Sequence, residues 1–314
     1  MASGLILSGL ALGYLAVTQP AAGHTLAADI SPTVHRTSTP RPRLRPTPTP
    51  VPSPPPPPPV GGLPRQFANP AVDGLITNEY AFYNAGDPAA AASPDFEMTS
   101  GSLYGRGGDF WTGNPNACEP DASSGTCNNS DIFRLNTKQR FQGNVSVSLA
   151  LMQLSNITNP SCNSNDSCWY GTHLWLRYQS EYNLYYASVN RADGQVVIKR
   201  KVPCGSDNDG TYFVLGTYVP HAFKPNAWNH YRASIQTNAD NSVTIKLYDT
   251  DASAQTPVVT GTDRGGTNPN WNSRCSTPGK YGSANYSPIT DPGGVGIRGD
   301  FSNFVFRDLT VSTF

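Results

Sequence analysis

From residue 96 onward, apolar and polar side chains alternate in short runs, and no stretch repeats apolar residues at the three-and-four spacing of an amphipathic helix. The runs are Phe96–Tyr104, Asp131–Leu135, Gly143–Leu154, His173–Tyr178, Asn183–Asn190, Val196–Val202, Tyr212–Val219, Asn229–Gln236, Ser242–Tyr248, Gly294–Gly299 and Phe304–Ser312. Clusters of Gly, Pro, Asn and Asp separate them, the punctuation of an all-β chain. Alternation of period two turns one face of each strand to a core. The pattern therefore predicts a two-sheet antiparallel β-sandwich formed by one domain, residues 65–314.

The densest stretch is 171–202, which reads as three strands joined by tight turns, the second turn being Ala192-Asp193-Gly194. On the first strand the alternation places Leu174, Leu176 and Tyr178 on one face and His173, Trp175 and Arg177 on the other. On the second, Tyr185, Ala187 and Val189 oppose Leu184, Tyr186, Ser188 and Asn190. On the third, Val197, Lys199 and Lys201 oppose Val196, Ile198 and Arg200. One face suits a core, and the other gathers His, Trp, Arg, Tyr and Lys. Such a face is either a polar surface, stabilised by cross-strand aromatic–cation pairs, or a binding site.

Composition changes the picture at the N-terminus. Leu5–Val17 is apolar apart from Ser and Gly, and Pro20 and small residues follow, so residues 1–28 read as a signal peptide or an N-terminal anchor. Residues 29–64 read as a Pro-rich disordered linker, because Pro32–Pro64 holds 14 of the 29 prolines, with the run Pro54–Pro59. Proline lacks the amide donor a sheet needs, so this tract is expected to be extended. Both features point outside the cell, to a secreted or surface-tethered protein, with no further membrane contact and a monomeric state expected. Twenty-two basic and 22 acidic residues balance, so no bulk field draws the chain to nucleic acid.

Cysteine usage agrees with export. Cys118, Cys127, Cys162, Cys168, Cys204 and Cys275 are even in number and all follow the linker. Proximity favours Cys118–Cys127 and Cys162–Cys168, leaving Cys204–Cys275, although six thiols allow about 15 connectivities. No C-x2-C spacing supports zinc.

Three stretches carry a family resemblance. FEMTSGSLYGRGG (Phe96–Gly108) resembles the first hairpin of the concanavalin A-like lectin/glucanase superfamily. NAWNHYRASIQTNADNSVTIKLYD (Asn226–Asp249) is similar to its strand–turn–strand pair, and PGGVGIRGDFSNFVFRDLTVS (Pro292–Ser312) to its closing strands. The resemblance implies a jelly roll whose concave sheet takes the ligand, with one face of Asn229–Gln236 lining the same cleft as 171–202. It also implies a structural Ca2+, for which Asp300 and Asp308, with Glu97 or Asp109, are the candidate ligands. It leaves function open, since the superfamily holds lectins, hydrolases, lyases and non-catalytic modules.

The residues narrow the chemistry. Hydrolysis needs two carboxylates on one site, yet the domain has four Glu residues and no strand with two carboxylates on one face. Lyase chemistry on a uronate needs a cation on the carboxylate, a base for the C5 proton and an acid for the departing oxygen. Arg177 or Arg232 are candidates for the first role, His173 or His230 for the base, and Tyr186 for the acid or an alternative base whose phenolate a nearby cation would favour. The intact strand motifs of lyases with this fold are absent. Binding needs less: Trp175, Tyr178 and Tyr182 for stacking, Gln179 and Arg191 for hydroxyls, and Lys199 and Lys201 to attract an anionic chain. The expectation is recognition of a polysaccharide, most readily an acidic one, with a polysaccharide lyase as the enzymatic alternative.

Overall fold

Strands form within the runs that the alternation predicts, although Tyr212–Val219 is a strand only as far as Val214, and several shorter strands appear between. The computed structural model describes residues 60–113, 132–156, 170–203, 211–266 and 287–314. The leader-like run, the Pro-rich tract as far as Pro59 and all six cysteines, with their pairings, lie outside these residues. Among the described residues no helix is long and apolar enough to cross a membrane.

A nine-stranded sheet runs β16 (Val259–Asp263), β15 (Val243–Asp249), β14 (Asn229–Thr237), β7 (Val145–Asn156), β18 (Ser302–Thr313), β5 (Asp109–Trp111), β4 (Ser102–Arg106), β2 (Gly74–Asn78), with β1 (Arg65–Gln66) also on β18. A seven-stranded sheet runs β12 (Thr211–Val214), β11 (Ile198–Val202), β9 (Asn183–Arg191), β8 (Gly171–Ser180), β17 (Gly294–Asp300), β6 (Ile132–Thr137), β3 (Phe96–Ser100). A small ribbon pairs β10 (Gln195–Val196) with β13 (Val219–Pro220), and one short helix, α1 (Glu79–Tyr83), is capped by Asn78, whose side chain accepts from the Ala81 amide at 3.1 Å. Every pair of these strands is antiparallel. The layered arrangement is the jelly-roll sandwich expected.

The core lies between the two large sheets. Phe133 and Phe304 meet edge to face at 5.3 Å across the layers, and Phe67, Phe96, Phe110 and Phe306 continue the contact at 4.9–5.5 Å spacings. Such aromatic pairs add to simple area burial. The outer edge of the domain begins before residue 65: Val60 bridges Arg140, and the Gly61 amide donates to the Arg140 carbonyl at 2.9 Å.

Two corners carry the chain between sheets. The stretch Phe96–Tyr104 is not one strand, and its first half does not form a hairpin with its second. Gly101, at φ +80°, turns the chain so that β3 joins the seven-stranded sheet and β4 the nine-stranded one. Buried Glu79 clips this corner, its amide donating to the Gly101 carbonyl at 3.0 Å and its carboxylate accepting from the Gly101 amide at 3.3 Å. The true hairpin is β4–β5, through Gly107-Gly108 at φ +59° and +86°. Phe301, at φ 46°, makes the equivalent corner between β17 and β18.

Charged side chains also enter the interior, and one of them ties the sheets together. Arg200, on β11, is 1% exposed and lies beneath Tyr185, with Nε 3.5 Å from the Asp263 carboxylate on β16. Asp263 is fully buried, accepts from the Tyr185 hydroxyl at 2.6 Å, and the same hydroxyl accepts from the Ile289 amide at 2.9 Å. This clip ties both sheets to the segment at Ile289. Removing one partner of a buried pair strands the other charge. Asp263→Ala is therefore expected to lower stability by about 3–5 kcal/mol in urea unfolding, and a loss below about 1 kcal/mol would contradict the clip.

Candidate functional site

The site grows from three adjacent strands. Leu174 and Leu176 on β8, Tyr185, Ala187 and Val189 on β9, and Ile198 on β11 enter the core. Their alternates must then point away from it. Register sets Trp175, Tyr186 and Lys199 abreast on this outer face. On the other side of β8, Arg298 of β17 pairs with His173, and Asp300 follows two residues later on the same face.

These strands floor a cavity of about 250 Å³. His173, Tyr186, Lys199 and Arg191 line it, as expected. Arg298, Asp300, Tyr212 and Tyr218 complete it. Arg298 grips Asp300 through Nε and one terminal nitrogen, both at 2.8 Å, and its other terminal nitrogen donates to the Tyr212 hydroxyl. His173 Nε2 stands 3.5 Å from the Asp300 carboxylate, while Nδ1 is buried with no hydrogen-bond partner among the described residues. Lys199 Nζ lies 5.8 Å from the Tyr186 ring centre and 5.7 Å from that of Tyr218. Arg191 sits over Tyr218 at 5.3 Å and is held by Asp193 at 2.6 Å.

Burial sets the protonation states. It pushes the His173 imidazole below its ordinary range; Asp300 opposes this, but Arg298 and Lys199 reinforce it. His173 is thus neutral at pH 7. Burial would raise the Asp300 carboxyl, but Arg298 and then His173 outweigh it and hold Asp300 well below the usual carboxylate range. Burial lifts the Tyr186 phenol well above its usual value, and the cations Arg298 and Arg191 do not offset it. The expected phenolate base at Tyr186 is therefore corrected. The hydroxyl keeps its proton and can only give it.

Other expected site residues fall elsewhere. A bulge at Arg177, φ 46°, shifts the register of β8 and inverts the alternation beyond it. Arg177 turns inward and donates to the Ile289 carbonyl at 2.6 Å and the Gly143 carbonyl at 3.2 Å, so it holds no ligand. Gly293 permits the crowding, since a Cβ there would lie 2.4 Å from the Arg177 backbone. Tyr178 instead turns outward and stacks on Trp175 at 5.2 Å and 10°. Trp175 is only 2% exposed, so this pair is a small second core on the outer face, with Leu184, rather than an open stacking platform. Gln179 is bound to Arg140 at 2.7 Å and to the Pro292 carbonyl at 2.9 Å. Lys201, almost fully buried, lies between Tyr182 and Tyr212 at 5.3 and 5.1 Å.

His230 and Arg232 do not share the cleft. Tyr231, Ala233 and Ile235 of β14 enter the core from the nine-stranded sheet, so His230 and Arg232 point out of the opposite side of the sandwich. There His230 Nδ1 meets Asp251 at 2.8 Å. Asp300 and Asp308 do not form a calcium site either. Asp300 is occupied by Arg298, whereas Asp308 lies on the nine-stranded sheet and accepts from Asn69 at 3.0 Å. Among the described residues no three His, Cys, Asp or Glu side chains converge on a metal position.

Arg298, Tyr212 and Tyr218 escaped the sequence reading, and Asp300 entered it only as a calcium candidate. Arg298 and Asp300 stand two apart in Gly294–Gly299 and the residue after it, so their common face was available from the alternation. Tyr212 lies on the short strand β12, and Tyr218 sits beyond its end on the connection to β13, both inside the run Tyr212–Val219 that the sequence reading did not assign to the site.

No family model matches the sequence, and no curated protein matches it. Solved structures to which the chain is similar include a carbohydrate binding module, CBM66, from Bacillus subtilis, at 10% identity and TM-score 0.41 over 69% of this chain and 95% of that one. The VIP36 exoplasmic/lumenal domain in its Ca2+/Man3GlcNAc-bound form is 8% identical, TM-score 0.41, over 70% and 83%. The alginate lyase Aly36B is 10% identical, TM-score 0.37, over 79% and 96%.

The neutral state of His173 makes a stability prediction. Its folded pKa lies below the unfolded value of about 6.5, so on acidification the unfolded chain gains the proton first and stability falls as pH drops through that value. His173→Gln is expected to flatten this fall, by up to about 1.4 kcal/mol per pH unit, in urea unfolding between about pH 8 and pH 5. Parallel curves for the two proteins would show that His173 is not held neutral.

Proposed function

We propose that this pocket binds a sugar unit of an acidic extracellular polysaccharide. The observation that carries the reading is the lining itself: three cations, Arg191, Lys199 and Arg298, and three tyrosines, Tyr186, Tyr212 and Tyr218, around the single carboxylate of Asp300. Asp300 is already neutralised by Arg298 and Arg191 is paired with Asp193, so the excess positive charge that favours an anion rests on Lys199. Tyr218, 43% exposed at the rim, offers a ring face to sugar C–H groups, and the cations offer donors to a carboxylate. The cavity is smaller than the roughly 300–1,000 Å³ of drug-sized ligand sites, and so suits one unit of a chain. The leader-like run and the Pro-rich tract support action outside the cell, on a surface or free of it.

Lys199→Ala and Tyr218→Ala are each expected to weaken binding of a uronate oligosaccharide about tenfold, equivalent to about 1.4 kcal/mol, in titration calorimetry. Tighter binding of neutral glucans than of uronans by the intact protein would overturn the acidic-ligand reading.

A second reading, β-elimination, is favoured by one pair of groups. Neutral His173 has an unpartnered Nδ1, and its ring lies 4.9 Å from the protonated Tyr186 ring, centre to centre. In this reading Lys199 or Arg191 neutralises the uronate carboxylate. His173 then takes the C5 proton, the electron pair forms the C4–C5 double bond, and Tyr186 protonates the departing glycosidic oxygen. Among the described residues the lining holds no second carboxylate of the kind hydrolysis requires. Incubation with alginate, pectate, glucuronan or glycosaminoglycans is expected to raise the ultraviolet absorbance of the conjugated product if the chemistry operates. His173→Ala and Tyr186→Phe should then reduce turnover far more than affinity. A flat absorbance trace with every polymer leaves binding as the function.

A further inference from the structure

A second cavity, of about 220 Å³, lies at the other edge of the seven-stranded sheet from the pocket. β3 is the last strand there, and among the described residues it pairs only with β6, so α1 packs against its open side. Ala81 and Phe82 of α1, Ala85 and Ala92 of the connection to β3, and Phe96 of β3 itself make the walls apolar. Phe82 is 40% exposed while Phe96, at the other wall, is buried, so the cavity runs from solvent to the core. The alanines keep it open where larger side chains would fill it.

Two charged side chains share this lining, Glu97 and Lys138. Glu97 pairs with Asn136 across β3 and β6, and the Lys138 amide donates to the Asp95 carbonyl at 2.9 Å, one step further along. The two are therefore diagonal neighbours, about 7–8 Å apart. Among the described residues neither has an oppositely charged partner. The Glu97 carboxylate accepts from the Asn136 side-chain amide at 3.1 Å, and the Lys138 ammonium donates to the Ser93 carbonyl at 2.6 Å. A carboxylate has several acceptor sites and an ammonium several donors, so both keep capacity for a ligand. The carboxylates around them are engaged elsewhere: Asp95 holds Arg65 at 2.6 Å, Asp87 accepts from the Tyr80 hydroxyl at 2.7 Å, and Glu79 accepts from the Gly101 amide at 3.3 Å. A cation and an anion, not paired with each other on one apolar cavity, match a ligand with both opposite charges and an apolar body.

We propose that this cavity binds a free α-amino acid with an apolar side chain. The ammonium group of the ligand meets Glu97, its carboxylate meets Lys138, and its side chain enters between the alanines and Phe96. The volume is below the roughly 300–1,000 Å³ of drug-sized sites and suits so small a ligand. A peptide fits less well, because amide linkage removes at least one of the two charges from every residue. The site stands whether or not the pocket binds a sugar.

Titration calorimetry on the full chain, with thermal shift beside it, tests this with L-phenylalanine, L-leucine, N-acetyl-L-phenylalanine and L-phenylalanine amide. The two free amino acids should bind, and each blocked derivative should bind about tenfold more weakly, having lost one charge-assisted contact. Glu97→Gln should weaken phenylalanine about tenfold and leave the N-acetyl derivative unchanged. Lys138→Met should weaken phenylalanine to the same degree and leave the amide unchanged. Ala92→Leu fills the cavity without touching either charge and should remove binding of both amino acids. No binding of either free amino acid by both methods overturns the site, and so does equal affinity for the blocked derivatives. Unchanged phenylalanine affinity in the two folded charge variants overturns it as well.

Discussion

A carboxylate as buried as Asp300 cannot stay charged without a cation against it, and Arg298, two residues earlier on β17, supplies that cation. Much of the pocket follows from this pair. Arg298 also reaches Tyr212 and so fixes one wall, while its charge helps keep His173 neutral beside a carboxylate that would otherwise invite a proton. With Arg191 paired to Asp193, Lys199 then carries the excess positive charge of the lining. Asp300 gives the cavity polarity without giving it negative character.

The fold was largely legible because a period of two runs through most of each long strand. Tyr185, Ala187 and Val189 enter the core as the alternation requires, and Tyr186 leaves it. Corners and bulges broke the reading. Gly101 divides what alternation joins, because a left-handed residue turns the backbone without interrupting the run of apolar and polar letters. β2, β5 and β16 are too short to display a period. For the site, His173, Tyr186, Arg191 and Lys199 were legible from face and residue type alone. Sheet membership was not: nothing local in Asn229–Gln236 says that it joins the layer opposite 171–202, since pairing across distant strands is decided by global packing. Protonation was equally hidden. Proximity of Tyr186 to cations argued for a phenolate, but the depth of burial, which no sequence displays, decides the other way.

The two faces of the sandwich use the same residue types under different physical conditions. Around Tyr186 most of the cations and rings are enclosed, so electrostatic interactions are strong. Around Trp111 and Trp228 the rings are half-buried beneath Arg106 and Arg307, and Asp109 and Asp308 stand beside Arg307, where screening by salt weakens each charge contact.

The bulge at Arg177 acts on parity. Before it, odd-numbered residues of β8 face outward; after it, even-numbered ones do, which brings Tyr178 beside Trp175 and sends Arg177 to the interior. One added residue has exchanged an arginine for a tyrosine on the surface without a substitution. In such a strand a change of length by one rewrites the chemistry of everything beyond it, so insertion and deletion can reshape a sheet face faster than point replacement.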